Sequence, residues 1–240
     1  EITLDLLLQH RSGLPDANNT YWFDGRLVED PLLEFTVEEI VDVANWLYPD
    51  LLFEPGTDYN YTDTGFNILA RVVENVSGTE FQAFLEHEIL QPLGLTSTFA
   101  PRNHEEPSIS TYMLIDGVRT DRSTWNPSVE YGCGSLIATL EDLMKMAHAI
   151  FMTTDLLDDT TQALMMEPIS PGFDVYGRGC NYVEGLGWGH DGTMWGALST
   201  ARVDTASGLR LAAVMNCQYE DERLLDTTFA IRSTLGLLKH

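Results

Sequence analysis

The stretch Phe53-Glu54-Pro55-Gly56-Thr57-Asp58-Tyr59-Asn60-Tyr61-Thr62-Asp63-Thr64-Gly65-Phe66 decides how this chain is read. Pro55-Gly56 forces a turn. From Gly65 to Ser77 the residues Phe66, Leu69, Val73 and Val76 recur at helical spacing, with Gly78 as the C-terminal stop. Asp63 stands where it can cap that helix.

Outward from this segment the chain alternates caps and apolar stripes. Upstream, Thr36 to Glu39 is a capping box opening a helix with Val37, Ile40, Val41 and Ala44 on one side. Thr3 caps a short helix whose Leu4, Leu7 and Leu8 share a face and which ends near Ser12-Gly13. Downstream, Thr79 to Gln82 reads as a second capping box, followed by Phe81, Leu85 and Ile89 and closed by Pro92-Leu93-Gly94. Residues 100 to 130 read as loop, and Thr139 caps a helix with Leu140, Leu143, Ala147 and Ile150 apolar. After about residue 172 glycine becomes dense. Leu198 to Val203 and Leu209 to Met215 read as strands joined at Ala206-Ser207-Gly208, and a last amphipathic helix is expected from about 221 to 238. The expectation is an α+β fold. A mainly helical region over 1–172 is followed over 173–240 by antiparallel strands and a covering helix, the two forming one intertwined domain.

Several segments together resemble the serine beta-lactamase and penicillin-binding-protein superfamily, in its class C-like branch of D-alanyl-D-alanine peptidases and family VIII-type esterases. The run from Ile2-Thr3-Leu4 through His10-Arg11-Ser12-Gly13-Leu14-Pro15 is similar to the stretch just after that family's nucleophile helix. Tyr61-Thr62-Asp63 looks like its second motif, Tyr-x-Asn, with Asp63 in place of Asn. Leu90-Gln91-Pro92-Leu93-Gly94-Leu95 and Gly132-Cys133-Gly134-Ser135-Leu136 resemble further family runs. Gly189-His190-Asp191-Gly192 resembles the third motif, on the strand edging the active site. Each match alone is weak; their common order over roughly residues 2 to 216 is specific.

The resemblance implies acyl transfer through a serine ester to hydrolyse an ester, amide or beta-lactam, with no cofactor and no metal. Tyr61 matches the proton-shuttling tyrosine. Asp63 sits where a side chain orients the lysine and the substrate amide. His190 lines the cleft with Asp191 and Gly192 beside it, and Thr193 offers a backbone N–H to the oxyanion. The chain departs from the pattern at the decisive place. Its only lysines are Lys145 and Lys239, preceded at the third position by Asp142 and Gly236, so it contains no Ser-x-x-Lys. Ser12 and Ser135 lack a lysine at the right offset and read as turn and loop hydroxyls. The family's first strands and nucleophile helix are therefore expected to be missing from this chain. Two readings are open: part of a serine hydrolase completed by other polypeptide, or a non-catalytic binding or regulatory relative that keeps the cleft. A homodimer or a complementing chain would cover the surface left bare.

Composition narrows the partners. The 240 residues carry 37 acidic against 13 basic side chains, a net charge of −24. That excess argues against nucleic acid and anionic membranes, which need Lys and Arg to displace counterions. No stretch approaches the length of a membrane span. An acid-rich, lysine-poor surface suits high salt, and equally an ordinary acidic soluble protein. The three cysteines, Cys133, Cys180 and Cys217, form neither a disulfide framework nor a zinc spacing.

Overall fold

A computed structural model describes residues 1–101, 109–115, 117–171 and 175–218. The chain opens with α1 (Leu4–Leu8), in which Thr3 accepts the Leu6 N–H, followed by α2 (Tyr21–Glu29) and α3 (Val37–Leu47). Both halves of the Thr36–Glu39 capping box are present at the start of α3. Its buried face is Val37, Ile40, Val43 and Ala44. Ile40, Val43 and Ala44 pack with Phe23 and Leu27 of α2, Phe35, Trp125 and Val129 into the main helical core. Burying each large apolar side chain there contributes about 1.5–3 kcal/mol.

Helix α4 (Asp63–Ser77) is capped by Thr62, which accepts the Gly65 N–H, and stops at Gly78 in the left-handed conformation at φ 69°. Its buried face differs from the expected one. Thr64, Gly65, Asn67 and Ala70 are buried, whereas Val76 is 83% exposed. The small residues admit a neighbouring chain. A Cβ on Gly132 would lie 2.5 Å from the Phe66 carbonyl and 2.7 Å from the Ala70 side chain, and Asn67 accepts the Gly132 N–H at 2.7 Å. Close approach, more than apolar area, sets the register here.

Helix α5 (Phe81–Leu85) runs into a π-helical turn at Glu86–Leu90. The expected Thr79 cap does not form. Glu80 occupies the cap position, and the Glu74 carboxylate accepts the Phe81 N–H at 3.0 Å. The segment read as loop contains the hairpin β1 (Tyr112–Ile115) and β2 (Val118–Asp121), then a 3-10 turn at Pro127–Glu130. Helix α6 (Leu140–Phe151) is capped by Thr139 as expected, and α7 (Asp159–Met165) follows.

The sheet is antiparallel and six-stranded, in the order β3 (Ser170–Pro171), β4 (Val175–Tyr176), β5 (Asn181–Val183), β6 (Gly187–Met194), β7 (Ala197–Asp204), β8 (Leu209–Met215). Strands β7 and β8 are the expected pair, and the Asp204 carbonyl accepts the Gly208 N–H across their turn. A second sheet of order β2-β1-β9 adds β9 (Cys217–Gln218), parallel to β1. Trp188, Ala201 and Val203 of the large sheet pack on Ala147 and Phe151 of α6. This is the α+β arrangement of helices and antiparallel sheet that the sequence leads one to expect. The helix expected at 221–238 lies outside the described residues.

Candidate active site

The start of α4 meets strand β6 across a small aromatic cleft. The segment before α4 is fixed by the first turn of the chain: the Asn60 N–H donates to the His10 carbonyl at 2.9 Å, and Thr62 donates its hydroxyl to the Pro15 carbonyl at 3.0 Å. Thr64 accepts the Ala17 N–H at 2.9 Å. These bonds present Tyr61, 39% exposed, against His10, with ring centroids 4.1 Å apart. Tyr61 lies 6.1 Å from the His190 ring of β6 and 6.3 Å from Tyr176 of β4. Two residues 129 positions apart in sequence, Tyr61 and His190 (190 − 61), are thus brought together by the fold.

Asp63, at the first position of α4, belongs to an acidic group. Asn19 donates its amide to both Asp16, at 2.6 Å, and Asp63, at 2.8 Å. Cys133 donates its thiol to Glu130 at 2.8 Å, and a carboxylate oxygen of Asp63, one of Glu130 and the Cys133 sulfur lie within 4.8 Å of one another. Burial first, then the Asp16 carboxylate at Asp63 and the Asp63 and Asp16 carboxylates at Glu130, raise these two carboxyls well above the ordinary carboxylate range. Burial also raises Asp16. The Tyr61 phenol is pushed up by desolvation first and then by the Asp63 carboxylate, so it is protonated at neutral pH.

His190 and Asp191 part company on β6, because successive side chains point to opposite faces. His190 lies on the cleft side, its Nε2 3.1 Å from the Tyr176 hydroxyl and its Nδ1 2.6 Å from the Asp191 carbonyl. Burial lowers its pKa from the ordinary value. The Asp191 carboxylate turns the other way, to the fully buried Arg202 guanidinium, which also donates to Asn181 Oδ1 at 2.6 Å. Asp191 therefore offers the cleft its backbone and not its carboxylate. Gly192 and Thr193 continue the strand opposite Ser199 and Leu198 of β7. Strand β5 pairs β6 only from Gly187 to Gly189. Among the described residues no strand pairs the other edge of 190–194, which leaves that edge open beside Tyr61.

Ser12 is buried, and its hydroxyl accepts the Leu14 N–H at 3.2 Å. Ser135 sits in a loop at φ 67°, left-handed for a residue with a side chain. Five residues of the cleft lay beyond the motif reading: Asp16, Glu130, Cys133, His10 and Tyr176. His10 and Cys133 stand inside quoted motifs, but nothing in their spacing marks them as cleft-facing. Tyr176 precedes a glycine-rich segment whose pairing is visible only in the folded sheet.

Helices on an antiparallel sheet, with a tyrosine just before a helix facing a histidine on a strand left half unpaired along one side, define a penicillin-recognising type of architecture. The chain belongs to the beta-lactamase family, whose sequence pattern matches residues 1–235. It is 25% identical over 236 residues to penicillin-binding protein 4 of Amycolatopsis lactamdurans, covering 90% of this chain and 59% of that protein. A penicillin-binding protein of Bacillus subtilis is 24% identical over 183 residues, with 70% of this chain and 39% of that protein covered. The chain thus spans between two fifths and three fifths of the length of these two relatives. The crystal structure of a D-stereospecific amidohydrolase from Streptomyces sp. superposes with a TM-score of 0.81 at 29% identity, covering 90% of this chain and 68% of that one.

Proposed function

We propose that these residues form most of the substrate cleft of a serine hydrolase that cleaves a small ester, amide or lactam through an acyl-serine. The observation that supports this most is the meeting of Tyr61 and His190 across an unpaired strand edge. In this reading Tyr61 moves the proton between the attacking serine and the leaving group. The Thr193 N–H provides one donor for the oxyanion: N–H and C=O groups alternate sides along a strand, and the Asp191 carbonyl, two residues earlier, already faces the His190 ring rather than β7. The 240 residues contain no Ser-x-x-Lys, so serine and lysine come from other polypeptide. A lysine ammonium beside Tyr61 and Asp63 would reverse the electrostatics of this wall. It would lower the phenol toward a usable base and hold Asp63 ionised.

The same electrostatics bear on the substrate. His190 is pushed toward its neutral form, and Asp63, Asp16 and Glu130 crowd the other wall. A substrate carboxylate gains nothing there. We expect neutral or amine-bearing esters and amides to be preferred, and the D-stereospecific amidohydrolase likeness agrees with an amide. A higher kcat/KM for a carboxylate-bearing penicillin than for a short p-nitrophenyl ester would overturn that preference.

The test compares the full product of the gene with residues 1–240 alone, using a p-nitrophenyl ester and a serine-directed fluorophosphonate. The full product should turn over the ester and be labelled, and residues 1–240 should do neither. Tyr61→Phe in the full product should lower kcat by about 10²–10⁴. A full product that is neither labelled nor active would favour the binding-protein reading instead.

A further inference from the structure

A chain of hydrogen bonds crosses the cleft in one direction only. A backbone N–H can only donate, so the Thr62 N–H, 3.1 Å from His10 Nδ1, makes that nitrogen the acceptor. His10 then carries its proton on Nε2, 3.0 Å from the Tyr176 hydroxyl oxygen. At the far end a carbonyl can only accept, so His190 Nδ1 bears the hydrogen that meets the Asp191 carbonyl at 2.6 Å. Tyr176, having accepted from His10, gives its own single hydrogen to His190 Nε2 at 3.1 Å. The order runs Thr62, His10, Tyr176, His190, Asp191. Every ring nitrogen is used, and each imidazole is neutral.

We propose that His10 and Tyr176 are positioning residues that fix His190 as its Nδ1–H tautomer and, through it, hold the Asp191 carbonyl at the open edge of β6. The strand would then meet a substrate with backbone groups alone, because His190 has no N–H to spare and no charge. That consequence for substrate rests on the hydrolase reading; the clamp itself does not.

The surroundings favour this state. His10 is fully buried among Tyr59, Tyr61, Phe66 and Tyr176. Around His190 stand Tyr61 and Tyr176, with Asp191 on its own strand and Arg202 on β7. Asp191 favours an imidazolium, whereas Arg202 and burial oppose it. Two neutral rings joined by one phenol also avoid placing two positive charges in contact.

The test is long-range 1H–15N NMR on the full gene product labelled in histidine, with His10→Gln and His190→Gln to assign the rings. His10 should appear as the Nε2–H tautomer and His190 as the Nδ1–H tautomer, neither titrating between about pH 5.5 and 8. Tyr176→Phe keeps the ring but removes the oxygen, so both rings should shift together. If the product is a hydrolase, its kcat/KM in that variant should gain a pH dependence near an ordinary histidine value of about 6.5. A wild-type His190 that titrates there, or two rings sharing one tautomer, would overturn the clamp even if Tyr176→Phe failed to fold. A product with these tautomers that hydrolyses nothing would instead overturn the hydrolase reading and leave the clamp standing.

Discussion

Asp63 shows how one side chain links the cleft to the pH dependence of folding. Where the family motif has Asn, this chain places a carboxyl beside Asp16 and Glu130, and its pKa rises from 3.8 to about 6. The folded state holds this proton more tightly than the unfolded chain does. Its favourable contribution is therefore present below about 3.8 and lost as pH rises through about 6. Asp63→Asn keeps an oxygen to accept from Asn19 and removes the charge. In residues 1–240 alone, where no lysine stands beside it, the change should stabilise the fold by about 1–2 kcal/mol at pH 7.5 and by nothing measurable at pH 4, read as urea midpoints at the two pH values. Equal gains at both would mean that packing, and not charge, decides the position. The motif made Tyr61, Asp63 and His190 legible in the sequence, because each stands at a fixed place in a recognisable run. Glu130 and Tyr176 were not legible, since their proximity to those residues is created by the Gly132 turn and by the pairing of β4 with β5 and β5 with β6.

Elements were legible wherever local chemistry fixes them. The caps at Thr3, Thr36 and Thr139 hold their helix starts, and α3, α6, β7 and β8 follow the periodicity that announces them, whereas α4 is capped by Thr62 and not by the expected Asp63, which is its first helical residue. Two failures have a tertiary cause. In the β1–β2 hairpin the run Tyr112-Met113-Leu114-Ile115 does not alternate, and its partner Val118-Arg119-Thr120-Asp121 is largely polar, so period two is invisible on both strands. In α4 the buried face follows small residues that a loop can approach, so apolar spacing points to the wrong side. Gly132→Ala tests that account. The added methyl would meet the Phe66 carbonyl at 2.5 Å, on a helix backbone that cannot retreat. The expected loss is about 1–3 kcal/mol in urea unfolding. Gly134→Ala, two residues on, meets only the Glu130 Cβ at an ordinary 3.8 Å and should cost far less. Similar losses for both would place the sensitivity in the loop backbone and not in its packing on α4.

At the scale of the whole molecule, charge dominates. With 37 acidic and 13 basic residues, repulsion acts on the compact state more than on the expanded one, and the ion pairs among the described residues are short-range contacts with at least one partner open to solvent. Arg71, for example, bridges Glu38 of α3 and Glu74 of its own helix, tying two helices at the surface while leaving the general excess in place. Added salt shortens the Debye length from about 30 Å at 0.01 M to about 10 Å at 0.1 M, so repulsion across the molecule fades before close pairs weaken. The melting temperature should therefore rise with NaCl, steeply up to a few tenths molar and then level off. Charge screening depends on ionic strength and not on the identity of the ion, so NaCl and KCl should coincide. A rise that begins only above about 1 M, or one that sulfate produces and chloride does not, would point instead to exclusion of salt from apolar surface. The acidic surface would then matter for solubility, and the stability of the fold would rest chiefly on apolar cores such as those around Phe23 and Ile40 and around Phe151 and Val203.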